Sequence, residues 1–214
     1  MEGLMSQIAH CVISGKTEEV KSLVQEALSE GARPEEALDQ GLLPGMEHVS
    51  VQFREGEMFI PEVLLSARAM HAGMEILKPL LVEAGAGVIG NIILGTVKGD
   101  LHDIGKNLVR IMMQSAGLEV IDLGIDVAPE RFVEAVKETG AQIVGMSALL
   151  TTTMQMMPVT ITTLKEAGLR DQIKVMVGGA PVTQDFADKI GADGYASNAA
   201  GAADLARQWI TSQA

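Results

Sequence analysis

Apolar residues recur at helical spacing from Leu4 to about Glu83, with no alternating, strand-like run among them. Leu4, Ile8, Val12 and Ile13 mark one face, and Val20, Leu23, Val24, Ala27 and Leu28 mark a second. Spacings of three and four residues put such sets on one side of an α-helix. Thr17, followed by Glu18 and Glu19, predicts an N-cap with acids in the first turn, where they face the positive end of the helix dipole. Pro34 opens a third helix carrying Ala37, Leu38, Leu42, Leu43, Met46 and Val49, and Gly41, Pro44 and Gly45 in mid-pattern predict a bend or a break. A fourth helix starts at Pro61 and carries Val63, Leu64, Ala67, Met70, Met74 and Leu77. Four helices with short connections predict a small bundle. The loop from Arg54 to Ile60 sets Met58 and Phe59 beside the start of the last helix, and two large apolar residues there call for an apolar cover.

Past Ala84-Gly85-Ala86-Gly87, which reads as a linker and hinge, the pattern changes. Short β-branched runs fall at Val88 to Val97, Glu119 to Leu123, Gln142 to Met146, Lys174 to Val177 and, weakly, Gly194 to Ala196. Helical segments follow them at Ile104 to Ala116, Pro129 to Thr139, Met154 to Ala167, Thr183 to Ile190 and Ala199 to Ile210. This alternation predicts a parallel sheet covered on both faces, joined by right-handed crossovers. The expected fold is α/β: a four-helix bundle over residues 1–86, then a flavodoxin- or Rossmann-like five-stranded parallel sheet of order 2-1-3-4-5 over residues 87–214, wrapped by helices.

Composition narrows the chemistry. The chain has 214 residues, 47% apolar and 21% charged, and its single Trp, single Tyr and four Phe leave the core to aliphatic side chains and thirteen Met. A formal net charge of -12 without a Lys/Arg cluster argues against nucleic acid and for proteins or small molecules as partners. One cysteine, Cys11, excludes an internal disulfide. The first residues lack the basic-then-apolar pattern of a secretory leader, and the apolar stretch from Ala84 to Val97 is broken by four glycines and Asn91. A cytoplasmic protein without a membrane span is expected.

The unusual residues gather on one edge of the expected sheet. In order 2-1-3-4-5, ligands bind beyond the carboxyl ends of the strands at the switch between strands 1 and 3. Lys98, Gly99, Asp100 and His102 follow strand 1; Ser147, Leu149 and the threonine run 151–153 follow strand 3; Gly178 and Gly179 follow strand 4. A histidine in such a loop can bind a metal through one ring nitrogen while the other donates to a carboxylate, and Asp100 is the candidate acceptor. His10, His48 and His71 all lie in the helical half, so a metal at His102 has to bring most of its own ligands, which implies a macrocycle. Taken singly, each feature also has a plainer reading: a solvated loop histidine, a tight strand-to-helix turn, a cluster of N-cap threonines.

Taken together they carry a resemblance. Gly99-Asp100-Leu101-His102-Asp103-Ile104-Gly105-Lys106-Asn107 resembles the cobalamin-binding fingerprint Asp-x-His-x-x-Gly, and Ser147-x-Leu149 and Gly178-Gly179 are similar to its two other parts. Met58-Phe59-Ile60-Pro61-Glu62-Val63 and Ser66-Ala67-Arg68-Ala69-Met70 are similar to the helical cap of methyl-transferring corrinoid proteins. Nearly the whole chain thus resembles the small corrinoid proteins of methylamine, methanol, betaine and methoxyaromatic methyltransferase systems, and the cap and cobalamin-binding domains of methionine synthase.

The resemblance implies a cobalamin or related corrinoid in its methylcobalamin form, bound base-off with His102 as lower axial ligand to cobalt. Asp100 would be the hydrogen-bond partner of His102, and Thr153 would extend the relay where methionine synthase has a serine. Asp103, Ile104 and Gly105 complete the fingerprint. Ser147, Leu149 and Thr151 would line the pocket for the displaced nucleotide tail, with Gly178 and Gly179 leaving it room. Phe59 and Met70 would lie over the upper corrin face. Such a protein has no complete active site of its own. It takes a methyl group as methyl-Co(III) from a substrate:corrinoid methyltransferase, passes it to a methylcorrinoid:acceptor methyltransferase serving tetrahydrofolate or a thiol such as coenzyme M, and is rescued by a reductive activase. The same binding domain also occurs in B12-dependent mutase subunits and in cobalamin-dependent regulators, and these are the alternatives.

Overall fold

The computed structural model describes residues 2–83 and 90–212, so the expected hinge at Gly85 to Gly87 and the first two residues of the first strand run lie outside the described residues. The chain divides into two compact units, one of N-terminal helices and one of alternating strands and helices. No described helix is long and apolar enough to cross a membrane.

The helical unit runs α1 (Glu2–Ile13), α2 (Thr17–Ser29), α3 (Pro34–Ala37), a π-helical turn (Leu38–Leu42), α4 (Leu43–Glu55) and α5 (Ile60–Glu83). Thr17 is the first helical residue and not the cap. Gly15, at φ +67°, turns the chain out of α1, and Lys16 takes the N-cap position with its ammonium on Glu19 at 2.9 Å. The third helix bends without breaking. Pro44 has no N–H and its ring would strike the carbonyl four residues back, and the wider π turn just before it lets the helical path continue. α5 begins one residue before Pro61, where the Glu62 carboxylate accepts the Phe59 N–H at 2.8 Å.

The two glycines that suggested a break serve packing. A Cβ at Gly41 would lie 3.1 Å from Ile8 Cγ2, and one at Gly45 would lie 2.8 Å from both the Ala9 carbonyl oxygen and Val12 Cβ. Four residues apart on one face, they let α1 settle directly on the α4 backbone. Ile8, Val12, Val20, Val24, Leu42, Val49, Val63, Met70 and Leu77 close the core around that contact, all without accessible surface.

In the second unit β1 (Asn91–Thr96), β2 (Glu119–Asp122), β3 (Ile143–Ser147), β4 (Lys174–Gly178) and β5 (Gly194–Ala196) form one parallel sheet of order 2-1-3-4-5. The crossover helices are α6 (Ile104–Ser115), α7 (Pro129–Thr139), α8 (Met156–Glu166), α9 (Gln184–Ile190) and the final α10 (Ala199–Thr211). On one face Ile93, Val144, Met146, Val175 and Val177 pack with Phe132 and Val136 of α7, Met157, Ile161 and Leu164 of α8, and Ala187 of α9. α10 covers the other face, where Leu205 and Trp209 take the place that a side chain at Gly194 would occupy. The register brings Thr96, Ser147, Gly178 and Ala196 side by side at the carboxyl ends of β1, β3, β4 and β5. Strand alternation puts this row of small residues on the face opposite Met146 and Val177.

Gly45→Ala is expected to lower stability by about 1–3 kcal/mol through overpacking, although alanine is by itself the better helix former. Gly3→Ala on α1 meets nothing within 4 Å and should leave stability level or slightly raised. Urea midpoints of the two variants check this, and equal shifts would sink the packing account.

Candidate cofactor site

Strand β1 ends under a tight loop. Asp100 N–H donates to the Val97 carbonyl at 3.1 Å, and Gly99 supports the reversal at φ +82°. The turn drives the Asp100 side chain inward until it has 0% of its surface exposed. Oδ1 accepts the His102 N–H at 3.0 Å and lies 2.7 Å from His102 Nδ1. Oδ2 accepts the N–H groups of Leu149 at 2.7 Å and Leu150 at 3.4 Å, and the Thr153 hydroxyl at 2.6 Å. The loops after β1 and β3 therefore meet on one carboxylate.

Burial pushes the Asp100 carboxyl toward neutrality, but the hydrogen bonds from Thr153, Leu149 and His102 outweigh it and hold the group well below the usual carboxylate range. An ionised carboxylate only accepts, so His102 Nδ1 carries a hydrogen, and in the neutral imidazole the lone pair is on Nε2. The imidazole is 51% exposed. What the loop presents to solvent is the oriented Nε2 edge of the ring. Thr153 Oγ1 also lies 3.0 Å from the Leu150 carbonyl, and its single hydrogen belongs to the shorter, charge-assisted contact with Asp100.

Three further residues fix the loop without announcing themselves in the sequence. Thr96 is buried, and its hydroxyl donates to the His102 carbonyl at 2.9 Å. Lys106, 2% exposed, places Nζ 2.6 and 2.7 Å from the Asp122 carboxylate oxygens and 2.9 Å from Asn107 Oδ1, tying the first turn of α6 to the end of β2. Asp126, between β2 and α7, bonds to Gly99 and to Asp100. Thr96 reads as a strand residue, and the other two depend on a strand pairing that local pattern does not reveal; an acid at the carboxyl end of the neighbouring strand is their faint signal.

The remaining expected residues take varied places. Asp103 opens α6: its carbonyl accepts the Asn107 N–H at 2.7 Å and its carboxylate the Asn107 side chain at 3.0 Å. Gly105 and Thr151 are exposed, and Ser147 is half-buried in the row of small residues. A Cβ at Gly178 would lie 3.0 Å from the Ala196 carbonyl, and one at Gly179 would collide with the Ala148 carbonyl oxygen, so Gly179 is demanded by the contact between two loops. Leu101, Ile104, Ile125, Leu149 and Leu150 are all large, apolar and exposed, Ile104 to 80%. Phe59 and Met70 belong to the helical unit. Phe59 is 67% exposed beside exposed Ile60, Leu64 and Leu65, whereas Met70 has no accessible surface and packs in the core.

Among the described residues no three His, Cys, Asp or Glu side chains gather into a metal site. One imidazole nitrogen among exposed aliphatic side chains fits a metal held in a broad, apolar, multidentate ring and offers too few donors for a bare ion.

Because the Asp100 pKa is depressed in the folded state, the stability it contributes is complete above its unfolded value, near 3.9, and is lost as pH falls below that toward the lower folded value. Asp100→Asn should cost about 2–3 kcal/mol at pH 7, where charge-assisted bonds are lost. It should also flatten the decline in stability below about pH 4. Denaturant titrations from pH 7 to pH 3 measure both, and parallel pH profiles for the two proteins would refute the assignment.

Comparison with known proteins covers both halves of the chain. The B12 binding domain matches residues 90–204, and a second domain, also described as a B12 binding domain, matches residues 4–78. The dimethylamine corrinoid protein of Methanosarcina barkeri is 49% identical over 210 residues, covering 98% of both chains. A cobalamin-binding protein from Desulfitobacterium hafniense superposes with TM-score 0.81 at 34% identity, over 96% of this chain and 98% of that one. The methanol:cobalamin methyltransferase complex of Methanosarcina barkeri contains a chain that matches with TM-score 0.84 at 33% identity, over 98% of this chain and 80% of that one. Matched in both halves and along its whole length, this chain belongs to the family of B12-binding corrinoid proteins.

Proposed function

We propose that the chain is a methyl carrier that holds its corrinoid base-off, with His102 Nε2 as the lower ligand to cobalt. The observation that carries this reading is the locked imidazole: Asp100 at 2.7 Å from Nδ1 leaves Nε2 as the ring nitrogen on offer to a ligand. When bound, the corrinoid supplies a nucleophilic cobalt that accepts a methyl group and gives it up again. The chain does the rest. Asp100 keeps the hydrogen on Nδ1 and so keeps Nε2 available. Thr153 steadies that carboxylate from its other oxygen. Leu101, Ile104, Leu149 and Leu150 form an apolar bed, and Ser147, Thr151 and Gly178 line the way for a displaced nucleotide tail.

Residues 1–86 act as the cap and residues 87–214 as the corrinoid-binding part. Of the two cap residues, Phe59 is the one free to shield a bound corrinoid and would do so, since Met70 is committed to the helical core. A methyl group comes from a substrate held on one methyltransferase and leaves to tetrahydrofolate or a thiol on another, and a reductive activase restores oxidised cobalt. A methyltransferase partner is supported by the named relatives, one a dimethylamine corrinoid protein and one part of a methanol:cobalamin methyltransferase complex.

The reduced, paramagnetic cobalt form of the loaded protein, made with 14N- and with 15N-histidine, tests the ligand directly. Its electron paramagnetic resonance splitting should change with the histidine isotope and vanish in His102→Ala; a pattern indifferent to the isotope would overturn the proposal. Phe59→Ala should leave stability within about 0.5 kcal/mol, as for an exposed side chain, while the fully reduced protein oxidises in air several-fold faster. Unchanged oxidation would remove Phe59 from the cap.

A further inference from the structure

Asp126 is, among the described residues, the non-glycine residue with a positive φ, +52°. Asp and Asn tolerate this left-handed region better than other side chains, yet a residue held there still stores backbone strain, and such strain is retained where surrounding contacts fix it. Here those contacts are on the page. Asp126 Oδ1 accepts the Gly99 N–H at 2.7 Å, and the Asp126 N–H donates to the Asp100 carbonyl at 3.0 Å.

The segment that carries it is stitched to β1 on either side. Thr96 N–H donates to the Gly124 carbonyl at 3.0 Å, and Val127 N–H donates to the Thr96 carbonyl at 2.9 Å. Asp126 is the point at which this segment reaches beyond the strand end to the loop that carries His102. Its two bonds grip the backbone on both sides of the Gly99–Asp100 peptide. Gly99, at φ +82°, has the widest conformational freedom in that loop, and a Cβ there would meet only Thr153 Cγ2 at 3.7 Å. Side-chain crowding therefore does not hold the Gly99–Asp100 peptide; its own N–H bond to the Val97 carbonyl and the two flanking bonds of Asp126 do. If that peptide turned, the Asp100 carboxylate would leave either His102 or the Leu149 and Thr153 donors, because its two oxygens serve the two sides separately.

We propose that Asp126 is a positioning residue for the cobalt ligand, acting through Gly99 and Asp100 to keep His102 Nε2 aimed out of the loop. The inference rests on the reading of His102 given above. It predicts a graded series. Asp126→Asn keeps both the acceptor and the left-handed backbone and should behave as the parent. Asp126→Gly relieves the strained φ and removes the acceptor. It should fold with an unchanged melting temperature, yet lose at least threefold in the fraction of reduced cobalt that shows histidine nitrogen splitting. In the cofactor-free protein its Gly99 amide should exchange with solvent at least tenfold faster. Asp126→Ser, whose hydroxyl is too short to span to Gly99, should give the same two changes and serves if the glycine variant folds poorly. Absence of histidine splitting in the parent protein would overturn the parent reading. Splitting present in the parent and undiminished in Asp126→Gly, with Gly99 still protected, would overturn this inference alone.

Discussion

A fully buried carboxylate is a costly thing to build, since removing its hydration is offset only by donors held in fixed positions. Asp100 has those donors on two segments that are distant in the chain. Its own loop supplies the backbone and ring of His102, and the loop after β3 supplies Leu149, Leu150 and the Thr153 hydroxyl. Neither loop satisfies the charge alone. The carboxylate thus has one low-energy place, and the imidazole hung from it inherits that place. The direction of a solvent-facing nitrogen is set by hydrogen bonds that solvent does not reach.

The sheet makes this meeting possible. β1 and β3 are neighbours in register, Thr96 beside Ser147, and their chains leave for helices on different faces. The gap that opens between such diverging loops is where parallel sheets bind ligands. Around the gap the structure stays small or close-packed. Gly178 and Ala196 extend the row at the sheet edge, and Gly179 gives up its side chain to the Ala148 carbonyl. At the rim the priorities reverse and large aliphatic residues are left exposed, an arrangement with a cost in water that a broad apolar ligand removes.

Much of this was legible in the residues. The change from a period of 3.6 to short β-branched runs located the strands, and the alternation with helices marked the sheet as parallel, for which the flavodoxin-like order was the expected one. The pairing of residues 100 and 102 followed from their place on the loop after β1, and Thr153 joined them through the resemblance to corrinoid proteins. What stayed hidden was hidden for physical reasons. Pro44 and two glycines look like helix breakers, yet a π turn absorbs the proline and the glycines admit α1, a tertiary demand that outranks propensity. Lys16 displaced Thr17 from the cap because Gly15 sets the backbone there. Met70 sits on a helix that buries one face and exposes another, and spacing alone did not say which face held it. Asp126 and Lys106 act through the pairing of β1 with β2 and the segment after it, and no local pattern encodes a partner's identity.

The Asp100 contacts span 49 to 53 residues of chain, from the first strand of the sheet to the loop after the third. Half of what fixes the Asp100 carboxylate therefore exists only once β3 lies beside β1, so the direction of His102 is a property of the paired strands and not of its own loop alone.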